Sequence, residues 1–171
     1  QRSLQVFQAA ESNHFVNSCS MEVVIQEFLE ADVSVVAMSE CSMEPGVGAI
    51  EASYGACEAI VSGLVTPDLI RFDRTNGKIL SYDIGGKEDI VDFKKFESPF
   101  SENRILKRTN EKMRAKPAMH NDQIIQMIDV LTKVERAFGG IPQDVEAIFS
   151  NGSLRILQSR PVTNINQNKK G

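Results

Sequence analysis

The sequence predicts an α+β fold of several strands and two or three helices, and three observations carry that prediction. Short runs rich in β-branched residues recur along the chain, such as Glu22 to Leu29 and Val33 to Ser39. Asn76-Gly77 and Asn151-Gly152 each stand between two such runs, where a hairpin needs residues that accept positive φ. Ile124, Ile125, Ile128, Leu131, Val134 and Phe138 form one apolar stripe at helical spacing.

Taken in order, Leu4, Val6, Phe7, Ala10 and Phe15 are spaced loosely like a helix over residues 4–16. Glu22 to Leu29 and Val33 to Ser39 are the first two predicted strands, and Pro45, Gly46 and Gly48 make 41–48 a loop. Ala49 to Tyr54 is a third strand ended by Gly55. Ala56 to Ser62 alternates as a helix and stops at Gly63, before a turn at Thr66-Pro67-Asp68. Leu69 to Arg74 and Ile79 to Ile84 form a hairpin around Thr75-Asn76-Gly77-Lys78, and Glu88 to Phe96 adds a strand. Ser98 to Met119 is polar and basic and gives no readable pattern. Asn121 is the N-cap candidate of the striped helix, which Gly139-Gly140 closes. Asp144 to Ser150 and Leu154 to Arg160 are the last strands, and Asn164 to Gly171 reads as a linker.

At 171 residues, the chain has the length of one domain or part of one. No apolar run approaches the roughly 18–20 residues that span a bilayer, so a membrane protein is not expected. Gln1-Arg2-Ser3 carries no initiator Met and no charged-then-apolar leader, so the start reads as a cut with no visible secretory signal. Cys19, Cys41 and Cys57 form no CxxC pair; they fit packed thiols in a reducing cytoplasm rather than a disulfide framework or nucleophiles. Charge is uneven along the chain. The first 70 residues hold ten acids against Arg2 alone, whereas Arg71 to Lys116 holds twelve bases against eight acids. A net-acidic chain without Trp or a basic-aromatic stripe argues against nucleic-acid binding. The basic middle reads as solvated lysines at a sheet edge or connection.

Ile50 to Asp68, Gly139 to Glu146, Leu157 to Thr163 and Glu22 to Ser34 are four stretches that together resemble the nucleotide-binding domain of the phosphoenolpyruvate synthase and pyruvate phosphate dikinase family. Ile50 to Asp68, IEASYGACEAIVSGLVTPD, is similar to the family's (V/I)EAxxGxGExxVxGxVxPD. Gly139 to Glu146, GGIPQDVE, is similar to G-x-PQD(I/V)EW, and Leu157 to Thr163, LQSRPVT, to LQxRPxT. Glu22 to Ser34 is similar to the strand VVxQxMxxAxxSG, and the four fall in the family's order.

The resemblance implies the C-terminal lobe of an ATP-grasp fold, a mostly antiparallel sheet with packed helices, over residues 1–163, with 164–171 as a tail. It implies ATP and Mg2+ as ligands. The implied partners are an N-terminal lobe and a phosphohistidine domain, neither present here, and an exposed interlobe face would favour homo-oligomers. The implied activity moves the β-phosphoryl group of ATP to a histidine on a swivelling domain and thence to pyruvate, in the cytoplasm; the lone chain is expected to be inactive. Two other readings stay open: the same relay in a rifampicin-type antibiotic phosphotransferase, and a non-catalytic nucleotide-binding half-domain. His14 and His120 lack the neighbours of the family's phosphohistidine motif and read as surface or capping residues.

Residue by residue, the resemblance assigns Glu146 and Gln158 to the metal and Arg160 to the transferred or terminal phosphates, as the catalytic group. Gln26, Glu27 and Phe28 match the interlobe hinge that reads adenine through its backbone. Glu30 is a candidate for the ribose hydroxyls, or with Asp32 a solvated loop acid. Glu58 is either near a ligand or simply an acid favoured at a helix start. Cys57 stands where relatives commonly have a second Gly, and Ser39-Glu40-Cys41-Ser42 departs from the Thr and Asn/Asp-Pro found after the family's strand.

The chemistry of the last strand pair fits those assignments. Phosphoryl transfer needs cations held around phosphates more than covalent work. Magnesium takes one or two oxygen ligands from protein, and an Arg fork matches phosphate oxygens. Gln158 and Arg160, two apart, share a strand face. Glu146 joins them only with the right parity. A plain two-residue loop would set it opposite Leu157, whereas a three-residue loop, or a bulge of the same parity, sets Glu146 opposite Gln158 and Asp144 opposite Arg160. The expected pairing is the latter. The bland alternative is a surface strand with a weak Glu–Arg pair.

Overall fold

Strands form where apolar residues alternate, and here they run β1 (Val33–Met38), β2 (Val47–Tyr54), β3 (Asp68–Asp73), β4 (Ile79–Asp83), β5 (Asp89–Asp92), β6 (Ile105–Arg108), β7 (Gln143–Ser150) and β8 (Ser153–Pro161). The computed structural model describes residues 27, 29–92 and 105–163. Six strands make one sheet in the order β4-β3-β2-β1-β7-β8, and β5-β6 make a separate ribbon. Every pairing among the described residues is antiparallel. Helices α1 (Glu58–Val61) and α2 (Glu111–Arg114) are single turns, and α3 (Asn121–Ala137) is the long helix the stripe predicts.

The expected elements from Val33 onward are present, with shifted ends. β2 begins two residues ahead of the expected strand, and the helix expected over Ala56 to Ser62 shortens to α1. The unreadable basic stretch contains β6 and α2, whose N-cap Asn110 accepts a bond from Met113 N at 2.9 Å. α3 begins one residue earlier than expected: His120 is the N-cap, and its backbone N–H donates to the Gln123 side chain at 2.9 Å. The helix expected over 4–16, Cys19, His14, residues 93–96 of the strand expected over Glu88 to Phe96, and the tail lie outside the described residues. So does most of the strand expected over 22–29, and its described members Glu27 and Leu29 are irregular.

One sheet face packs against α3. Ile124, Met127 and Leu131 of the helix pack with Val35, Ile50, Ile70, Phe72, Val145, Ala147 and Phe149. Each of these side chains other than Ala147 stabilises by about 1.5–3 kcal/mol over leaving it exposed. Two stripe residues depart from the expectation, since Ile125 is 62% and Phe138 50% exposed, while Met127 takes their place inside. The helix meets the sheet along a narrower line than the stripe. On the opposite face, α1 and β5 form a smaller cluster of Ala59, Ile60, Val65 and Val91, against which Val36 packs.

A buried ion pair closes one end of the core. The Lys87 ammonium bonds the Asp68 carboxylate and also donates to Gly85 O at 2.9 Å, with both side chains fully buried. Tyr82 O–H and the N–H groups of Gly85 and Ala118 donate to the same carboxylate, at 2.8, 2.8 and 2.6 Å. A charge can persist without water only when paired and hydrogen-bonded in this way. Lys87 also adopts a left-handed φ of 42°, a conformation a long side chain rarely takes.

Candidate functional site

The last hairpin turns at Asn151-Gly152, both with positive φ (49° and 74°), so the loop has two residues rather than three. The register then shifts between Glu146 and Ala147, leaving Leu157 as an extra residue on β8. This bulge restores the expected parity: Glu146 pairs with Gln158 and Asp144 with Arg160. At the earlier hairpin the Asn-Gly expectation holds only in part. Gly77 alone has positive φ, and the turn is organised by the Asp73 carboxylate, which accepts from Thr75 N at 2.8 Å and Asn76 Nδ2 at 3.2 Å.

Val145, Ala147 and Phe149 point to the α3 core, so Asp144, Glu146, Gln158 and Arg160 share the other face. Val36 pairs with Glu146 on its far side, and Glu51 pairs with Val36 in turn. Gln158 and Arg160 are exposed and Glu146 is half-buried. The hairpin therefore presents one acid, one amide and one guanidinium to open solvent.

The guanidinium is not loose. Its Nε donates to Asp144 Oδ2 at 2.9 Å, and Nη2 forms an ion pair with the same oxygen at 2.8 Å. Asp144 is the buried member, its side chain 15% exposed against 63% for Arg160. That bond and charge raise the Arg160 pKa, so the group stays cationic. The other Asp144 oxygen, Oδ1, is buried with no hydrogen-bond partner. Burial, and secondarily the Asp144 charge, raises the Glu51 pKa. The face thus carries Asp144, Glu146 and Glu51, with the Arg160 cation bonded to Asp144. Among the described residues, no three His, Cys, Asp or Glu side chains stand close enough to cage a metal by themselves.

Glu58 opens α1, half-buried on this same side of the sheet. Cys57 precedes it in ordinary right-handed backbone (φ −58°), so the position does not demand glycine. Its thiol turns inward and donates to Val35 O at 3.7 Å. Burial first, and Glu146 next, push that thiol up to about 12, which makes it a packed group rather than a nucleophile. Both Cys41 and Cys57 are free thiols. Glu27 and Glu30 are exposed in the irregular segment ahead of β1, while Gln26 and Phe28 lie outside the described residues. Asp144 and Glu51 were not among the expected site residues. Both were findable, since strand alternation places each on the polar face of an otherwise apolar strand.

A cavity of about 280 Å³ lies on the α3 side of the sheet, lined by Phe72, Arg74, Leu131 and Glu135 among others. Its central cation is already engaged, Arg74 bonding Glu40 at 2.9 Å and also Glu135.

Comparison with known proteins agrees with the motifs. Residues 3–171 match the family described as the pyruvate phosphate dikinase AMP/ATP-binding domain. The chain is 32% identical over 152 residues to the uncharacterized phosphotransferase YvkC of Bacillus subtilis, covering 88% of this chain and 17% of that protein. It is 34% identical over 155 residues to a probable phosphoenolpyruvate synthase of Archaeoglobus fulgidus, covering 88% and 19%. It is 27% identical over 147 residues to a rifampicin phosphotransferase of Streptomyces sviceus, covering 85% and 16%. The chain thus spans under a quarter of the length of these relatives. With nearly its whole length matched and its motifs in register, this chain belongs to the pyruvate phosphate dikinase AMP/ATP-binding domain family.

Proposed function

We propose that the chain is the C-terminal lobe of an ATP-grasp site, holding the magnesium-bound phosphates of ATP in a phosphoenolpyruvate synthase-like phosphotransferase. The observation that carries this reading is the placement of Glu146, Gln158 and Arg160 together on one open sheet face. Glu146 and Gln158 would hold Mg2+. A carboxylate and an amide oxygen, with no cage of three His, Cys, Asp or Glu among the described residues, suit a hard cation that takes its remaining ligands from phosphate and water. When bound, the ion neutralises phosphate charge during transfer.

The chain's own groups do the rest. Arg160 binds phosphate oxygens with the N–H groups that Asp144 does not use, and Asp144 fixes the plane of the guanidinium. Glu58 and the segment Gln26 to Glu30 would meet the nucleoside. In the whole protein, the β-phosphoryl group would pass to a histidine on another domain and then to pyruvate, in the cytoplasm. Similarity to a rifampicin phosphotransferase supports a second reading, in which the same relay ends on an antibiotic.

Calorimetric titration with Mg-ATP tests the proposal. The chain joined by its N-terminal lobe should bind, and Arg160→Ala should weaken binding roughly 10- to 150-fold, the worth of about 1.5–3 kcal/mol for a bond to a charged group. Unchanged affinity in Arg160→Ala and Glu146→Gln would remove the hairpin from the site.

A further inference from the structure

We propose that Ser34 and Ser53 bind one internal water molecule that bridges β1 and β2. The two serines are partners in the β1–β2 register. Both are fully buried, and neither hydroxyl has a hydrogen-bond partner. They sit on the sheet face that carries Glu146, since Ser34 is two residues from Val36, the neighbour of Glu146.

The ladder fixes the spacing. Gly55 N donates to Asp32 O at 3.2 Å, which makes that pair a hydrogen-bonded one. Alternation then makes Ser34–Ser53, two residues along, hydrogen-bonded as well, with Cα atoms about 5.5 Å apart. The two hydroxyls leave that span unbridged, and one water making two bonds of about 2.8 Å fills it. The hydroxyls do not bond each other, and they face the flank of Ile148, which offers no polar atom. Two buried donors side by side are the ordinary environment of an internal water, which needs two to four polar partners. A hydroxyl can both donate and accept, so the pair can satisfy such a molecule whichever way it turns.

The test uses the 171-residue chain, with Ser34→Ala, Ser53→Ala and the double variant followed by thermal unfolding. Each single variant should lower Tm by about 2–4 °C, and the double should lower it no further than the worse single, because either loss releases the same molecule. A Tm that rises or stays level in the single variants overturns the proposal, since removing an unsatisfied hydroxyl relieves a penalty. A high-resolution crystal structure supplies the second readout. Density within hydrogen-bond distance of both Oγ atoms supports the site; a direct Oγ–Oγ contact, or no density between them, overturns it.

Discussion

Replacing Lys87 by Met would remove the cation from a carboxylate with no solvent to turn to. The Lys87 and Asp68 side chains are both 0% exposed. Breaking one partner of a buried pair costs about 3–5 kcal/mol. Here the three neutral donors from Tyr82, Gly85 and Ala118 still hold the Asp68 oxygens, so the lower end, about 3 kcal/mol, is expected. A domain stable by about 5–15 kcal/mol would lose a fifth or more of its margin. With a urea slope near 2 kcal/mol/M, the midpoint should fall by about 1.5 M. Adding Asp68→Asn should recover part of that loss, because a neutral amide leaves no bare charge and its oxygen can still accept from Tyr82 O–H and Ala118 N–H, while its NH2 then faces the Gly85 N–H. A midpoint drop below about 0.3 M for Lys87→Met, or a double variant as unstable as the two losses combined, would refute the role given to this pair.

The other predictions concern the hairpin face and the sheet. Burial raises the Glu51 pKa, so its ionised form is worse off folded than unfolded, and it subtracts stability as pH rises through the folded pKa. Glu51→Gln should therefore raise Tm at pH 7 and lose that advantage near pH 4; a gain confined to acid pH would reverse the sign. With its thiol pushed up to about 12, Cys57 in a Cys19→Ser/Cys41→Ser background should resist a thiol reagent at pH 8 and react at once in denaturant. A Cβ on Gly48 would lie 2.0 Å from Phe72 Cζ, so Gly48→Ala should cost about 1–3 kcal/mol by urea titration, and Phe72→Leu should offset much of it. Asp144→Asn should weaken Mg-ATP binding less than Arg160→Ala, and the double variant should bind no worse than Arg160→Ala alone, because Asp144 acts through Arg160. Additive losses in that titration would give Asp144 a separate contact.

Much of this was legible in the residues. Asn151-Gly152 announced a hairpin, and alternation in Asp144 to Ser150 separated the polar face from Val145, Ala147 and Phe149. Parity could be stated as a condition, but the bulge at Leu157 depends on packing across the sheet, which no local pattern encodes. β6 and α2 were hidden because their stabilising contacts are side chain to backbone: Thr109 Oγ1 donates to Lys87 O at 2.6 Å, and Arg114 Nη2 to Thr109 O at 2.8 Å. The fate of Ile125 and Phe138 was equally hidden, since a stripe shows what a helix offers and not how wide the facing sheet is. Asp144 was placed opposite Arg160 by the pairing argument, yet its role emerged only from its burial beneath the guanidinium.

The position of β7 has a consequence for how the protein is made. Its partner β1 lies over a hundred residues upstream, the distance spanned when Gln143 N donates to Ser39 Oγ at 2.9 Å. A ribosome therefore exposes β1 with one edge unpaired until the final hairpin emerges, and long-range pairings of this kind form slowly. During that interval the nascent sheet has β1 as its open border, vulnerable to a neighbouring chain. Glu146, Gln158 and Arg160 thus join the sheet only after β1 to β4 have been synthesised.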